Sequence, residues 1–130
     1  MKRLRAEDGE RGSAVNVQVA VLYSLILMTF MTLLQTGLFF YGRDLALSAA
    51  RSGVDTGRTY GTVDTGAAQD HAHSVLTANS NGVLSSPSTS ASANGTTMTV
   101  TVNAEVVTLV PGLTMHVTES STGAIEQLTR

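Results

Sequence analysis

The chain has 130 residues, a formal net charge of -2, 14% charged and 5% aromatic residues, and no cysteine. That length holds one modest domain, and so little positive charge or aromatic surface excludes the basic stripe or stacking platform that nucleic-acid binding requires. Without cysteine there is no disulfide framework, thiolate zinc site or thiol nucleophile.

Residues 1–12 form a charged leader containing Lys2, Arg3, Arg5 and Arg11, with Gly9 and Gly12 near its end. It has no apolar periodicity and is expected to be disordered and cytoplasmic. No charged side chain then occurs until Arg43, and residues 17–41 are nearly all apolar or hydroxyl-bearing. At about 1.5 Å per residue this run covers roughly 37 Å, more than the ~30 Å of bilayer hydrocarbon, which predicts a tilted transmembrane helix. The helix formers of Leu45-Ala-Leu-Ser-Ala-Ala-Arg51 carry the prediction on, giving one long element over 13–53 that frays at Gly53 or Gly57.

Arg43, Arg51 and Arg58 follow the span, so the basic count favours a cytoplasmic N-terminus only slightly. The Ser/Thr/Gly-rich remainder reads as an exported domain, which gives a single-pass protein of the cytoplasmic membrane with its C-terminal domain outside. A removable signal peptide cut near Ala46-Leu47-Ser48 is disfavoured, because such apolar cores run only about 7–15 residues and Arg43-Asp44 intervenes.

Residues 54–130 make up the exported part. Four glycines over 53–66 read as a loop, and Ala68, Ala72, Val75 and Leu76 share one face of a short helix that ends at Asn79-Ser-Asn-Gly82. From 97 to 107 the period becomes two, with Met98, Val100, Val102, Ala104 and Val106 on one side of a strand. Asn94-Gly95 before it signals a hairpin, so 86–93 is the partner strand, and Pro87 puts that partner at an edge. After the turn pair Pro111-Gly112, the residues Leu113, Met115 and Val117 alternate in a third strand. The fold class is α+β: a long N-terminal transmembrane helix extending into a small exported domain with a short helix and about three antiparallel strands.

On a 100° wheel Gln18, Thr29, Thr32, Thr36 and Arg43 fall within about 60° of one another, a polar face of the kind used for helix-helix assembly in lipid. Threonines can instead bond to their own preceding carbonyls, but a carboxamide is harder to hide in hydrocarbon, so Gln18 and Gln35 suggest a partner. His71 and His73 point about 200° apart on a helix and are expected to be solvated rather than metal-binding. Nothing fixes the separation of Asp64, Asp70 and Glu105, so no carboxylate pair for catalysis is expected. The Ser/Thr tract over 85–97 reads as a flexible polar edge rather than a glycosylated stalk. No catalytic residue, cofactor or small-molecule substrate is expected, and a membrane-held hydrolase is disfavoured because no nucleophile, base and oxyanion set can be assembled.

The layout of Glu10-Arg-Gly-Ser-Ala-Val15, an apolar span and then Leu45-Ala-Leu-Ser-Ala-Ala-Arg-Ser-Gly53 resembles the TadE-like minor pseudopilins of the Flp (tight-adherence) pilus and related type IV pilus-like systems. Leu109-Val-Pro-Gly-Leu-Thr-Met-His-Val117 resembles the late strand pair of such proteins. The resemblance implies cleavage by a prepilin peptidase between Gly12 and Ser13, and other pilin or pseudopilin subunits as partners in the bilayer and the filament. The implied task is assembly, priming or capping of a pilus or secretion filament. Val17 stands where the family usually carries glutamate, and Tyr23-Ser24 lie where a proline is frequent. The alternative is a permanently anchored, unprocessed exported binding domain.

Overall fold

A computed structural model describes residues 2–58 and 63–125, with side chains from Arg11 onward. The elements in chain order are α1 (Lys2–Gly57), α2 (Thr65–Asn79), β1 (Leu84–Asn94), β2 (Thr97–Val106) and β3 (Met115–Ala124). This is the α+β architecture expected from the sequence, with a three-stranded antiparallel sheet in the order β1-β2-β3. The chain divides into two compact units, Met1–Leu34 and Gln35–Arg130. The folded unit therefore begins inside α1 at Gln35, whereas residue 54 was the expected boundary.

α1 is helical from Lys2, which corrects the expectation of a disordered leader. The leader contains Leu4, Ala6, Glu7 and Glu10, all good helix formers, and extending a helix already nucleated by the apolar run is inexpensive despite two glycines. The first unit is this helix alone. Its large apolar side chains from Val15 to Leu34 are exposed, and one helix, described over Arg11–Gly57, is long and apolar enough to cross a membrane.

In the second unit the C-terminal part of α1 and all of α2 contribute to one core with the sheet. Ala46, Ala49, Ala50 and Val54 of α1 join Ala68, Ala72 and Leu76 of α2 and Met98, Val100, Val102, Ala104 and Val106 of β2. The α2 face matches the expected one, with Val75 only half-buried. Asp64 caps α2, its carboxylate accepting from the Ala67 amide at 2.9 Å. The expected loop over 53–66 is shorter than predicted, because helix persists to Gly57; residues 59–62 lie outside the described residues.

Glycine explains that persistence. Cβ atoms added at Gly53 would meet Ala68 O at 2.8 Å and Ala72 Cβ at 2.9 Å, and one at Gly42 would meet Leu84 Cδ2 at 2.9 Å. Gly42, Gly53 and Gly57 thus form, with the alanines between them, a narrow face that admits the neighbouring elements closely. Tertiary packing outweighs the roughly 1 kcal/mol per residue by which glycine disfavours helix.

β2 alternates as expected and pairs with β1 from Leu84↔Val106 to Asn94↔Thr97. Pro87 sits in a bulge of edge strand β1, where the register shifts between Ser85 and Ser88 and Ser86 adopts φ 49°. The hairpin itself turns at Gly95-Thr96. The Asn94 side-chain oxygen accepts from the amides of Thr96 (3.3 Å) and Thr97 (2.9 Å), so a side chain, rather than a left-handed Asn-Gly pair, closes the turn. β3 extends to Ala124, well past the expected alternation, and Leu113 precedes it.

Candidate functional site

Two features of α1 carry the functional information: the uncovered apolar run of the first unit, and the seat of the helix in the second. The uncovered run covers residues 15–34, about 20 residues or roughly 30 Å of helix, which matches bilayer hydrocarbon without the excess length expected from residues 17–41. Leu38 and Phe39, counted in that longer run, pack instead against the core of the folded unit. A shallow apolar groove of about 340 Å³ lies on the uncovered helix between Leu25, Ile26, Thr29, Phe30 and Leu33.

Gln35 marks the change from one regime to the other. Among the described residues it is the buried polar side chain, at 6% exposure. Its Oε1 accepts from the Leu109 amide at 2.8 Å, and its Nε2 donates to Val107 O and reaches Met115 Sδ, both at 3.4 Å. This corrects the reading of Gln35 as a group seeking a partner in lipid: the carboxamide is satisfied by the chain's own β2–β3 loop.

The predicted assembly stripe is only partly available for lateral contact. Gln18, Thr29, Thr32 and Thr36 are exposed. The Thr29 and Thr32 hydroxyls donate to Leu25 O (2.8 Å) and Met28 O (2.9 Å), the local back-bonding open to threonine on any helix. Arg43 Nε meets Glu119 Oε1 at 2.6 Å, tying α1 to β3 within the folded unit, with the arginine side chain still half exposed.

Gly12 and Ser13 lie on exposed helix, and a Cβ at Gly12 would meet nothing within 4 Å. Packing within this chain therefore gives no reason for glycine at 12, in contrast to Gly42, Gly53 and Gly57. The bond between Gly12 and Ser13 is helical, and glycine at 9 and 12 lowers the cost of unwinding the helix there by about 1 kcal/mol each relative to alanine.

His71 and His73 do lie on a helix, α2, and His73 is exposed. His71 is not simply solvated: its Nε2 lies 2.8 Å from Ser52 Oγ and links α2 to α1. No group of three metal-capable side chains occurs among the described residues. Asp64 is occupied in capping α2, as above. A groove of about 300 Å³ of mixed lining, with Ser86, Ser88, Asn103, Glu105, His116 and Thr118 beside Ala104 and Val117, opens beside the β1 bulge, with His116 Nδ1 3.8 Å from Glu105 Oε1. The expected polar edge over 85–97 is strand β1 with the turn that follows it, and the hydroxyls of Thr99 and Thr122 lie 2.9 Å apart across β2 and β3.

Sequence reasoning missed two features of the site. The small face Gly42, Ala46, Ala49, Gly53, Gly57 recurs at helical spacing, and that recurrence was the available signal. The bond from Gln35 to the β2–β3 loop joins positions more than seventy residues apart and had no local signal. Compared with protein-family models, curated proteins and solved structures, the chain matches none.

Proposed function

We propose that this protein is a minor pseudopilin-like membrane protein of the TadE-like kind, acting in assembly, priming or capping of a Flp/Tad-type pilus or related secretion filament. The observation that carries this reading is the division of α1 at Gln35: an uncovered apolar half of bilayer length continues, in one helix, into a half that is built into a folded unit. In such an arrangement the apolar half is held in the cytoplasmic membrane and later by neighbouring subunits, while the folded unit faces outward. Removal of the charged leader at Gly12-Ser13 leaves the apolar half free to leave the bilayer sideways. The packing-free glycine at 12 supports that junction, since a small residue suits a scissile position. Other pilin-like subunits and a prepilin peptidase are the partners of this reading, which involves no catalysis by the chain itself.

A permanently anchored exported binding domain is the second reading, and the observation favouring it is the unbroken helix through Gly12 and Ser13. Intact-mass measurement after co-expression with a prepilin peptidase separates the two. The first reading requires a mature chain beginning at Ser13, and a Gly12→Val variant that inserts but is not shortened. A chain that keeps its leader beside an active peptidase supports the second.

A further inference from the structure

The β2–β3 loop, residues 107–114, carries a run of exposed apolar side chains on the folded unit. Val107, Leu109, Val110 and Leu113 are each 40–43% exposed, and the segment contains no charged residue. A polar domain that exposes four large apolar side chains within eight residues presents a patch to something other than water.

The loop is also firmly shaped. Pro111 and Gly112, the latter at φ +81°, form the centre of a tight turn closed by the Leu113 amide on Val110 O at 3.3 Å. The Thr108 hydroxyl donates to Leu113 O at 2.7 Å, and the Val107 amide donates to Val83 O at 2.8 Å. With Gln35 taking the Leu109 amide and Val107 carbonyl, much of the loop's backbone polarity is turned inward, leaving its side chains as the outer surface. Each backbone group bonded in this way lowers the cost of bringing the segment to a low-water boundary.

The anchor of the loop decides what that medium is. Gln35 directly follows the uncovered run of residues 15–34 in the same helix, so the loop is fastened at the residue where that run stops. Phe40 and Tyr41, 54% and 48% exposed, lie in the next two turns of α1, in keeping with the aromatic belt of a membrane interface. We propose that the β2–β3 loop is a lipid-seeking wedge: Leu109, Val110 and Leu113 enter the boundary between headgroups and acyl chains and seat the folded unit on the bilayer surface. This rests on the reading of residues 15–34 as a membrane span. In that reading the wedge holds the subunit upright before assembly and must be withdrawn when the subunit leaves the membrane.

The chain has no tryptophan, so a single introduced one reports its own surroundings. The full-length variants Leu113→Trp and Val110→Trp, with Ile26→Trp and Ser90→Trp as span and aqueous references, are reconstituted in vesicles of phosphatidylethanolamine and phosphatidylglycerol, with and without brominated acyl chains. The wedge predicts blue-shifted emission and loss of most intensity in brominated vesicles for the two loop positions, as for Ile26→Trp, and no loss for Ser90→Trp. Unquenched loop tryptophans beside a quenched Ile26→Trp overturn the wedge and leave the span intact. Blue-shifted but unquenched loop tryptophans also overturn it, because the cover is then protein, such as a second copy of the chain. An unquenched Ile26→Trp overturns the span and the wedge together. Using two loop positions guards against one substitution disturbing the turn.

Discussion

The side-chain oxygen of Gln35 accepts the backbone amide of Leu109 at 2.8 Å, so the first residue of α1 beyond the uncovered apolar run is bonded to the loop that links the last two strands. One carboxamide thereby ties the first α1 residue of the folded unit to the β2–β3 loop. It does so with both of its ends, since the amide nitrogen serves Val107 O.

Gln35→Leu keeps the volume of this side chain and removes both bonds. The Leu109 amide then loses its partner, and losing a part-buried hydrogen bond of this kind costs about 0.5–1.5 kcal/mol. Amide hydrogen exchange on the full-length protein in detergent should show much faster exchange at Leu109, with smaller losses of protection along β2. Unchanged exchange at Leu109 would mean that the bond contributes nothing to the loop's position.

Glycines in α1 should respond to alanine with opposite signs according to what a Cβ meets. Gly37→Ala faces open space and should stabilise the helix by up to about 1 kcal/mol, the propensity difference between the two residues. Gly53→Ala places a Cβ 2.8 Å from Ala68 O and 2.9 Å from Ala72 Cβ, and should destabilise by roughly 1–3 kcal/mol through overpacking. Thermal unfolding followed by circular dichroism should raise the midpoint for the first and lower it for the second; a shift of the same sign in both would contradict the close approach of α2 to α1.

The ion pair between Arg43 and Glu119 is short at 2.6 Å, yet the arginine is 54% exposed. Solvent screening limits such a pair to about 0.2–1 kcal/mol, so Arg43→Ala should lower the unfolding midpoint slightly, by an amount that shrinks as salt is added. A large, salt-independent loss would instead show that the arginine stem is part of the packing.

The elements that were legible in the sequence are those with strong periodicity. β2 was readable because every second residue from Met98 to Val106 is apolar and all are buried. β3 was readable only to Val117, because its inward positions beyond are Glu119, Ser121 and Gly123. Glu119 meets Arg43 of α1, and Gly123 lies against Val54 of α1 and Arg58 just beyond it, so these positions break the apolar alternation. β1 was betrayed by Asn94-Gly95 and not by its own Ser/Ala-rich residues. Glycines 53 and 57 read as helix breakers when considered singly, and only the facing elements reveal them as contact points. Gln35 and Arg43 were read as lateral groups for the same reason. Their polarity was visible, but their partners, Leu109 and Glu119, are brought near only by the completed sheet.

The central claim is that residues 15–34 lie in a bilayer with the folded unit outside, and because the chain has no cysteine this can be tested one site at a time. In intact cells treated with a membrane-impermeant maleimide, Ser90→Cys should be labelled and Ile26→Cys should not, even though Ile26 is 59% exposed in the chain itself. Labelling of Ile26→Cys as readily as Ser90→Cys would contradict the membrane span, and labelling of Ser90→Cys only after lysis would contradict the outward orientation.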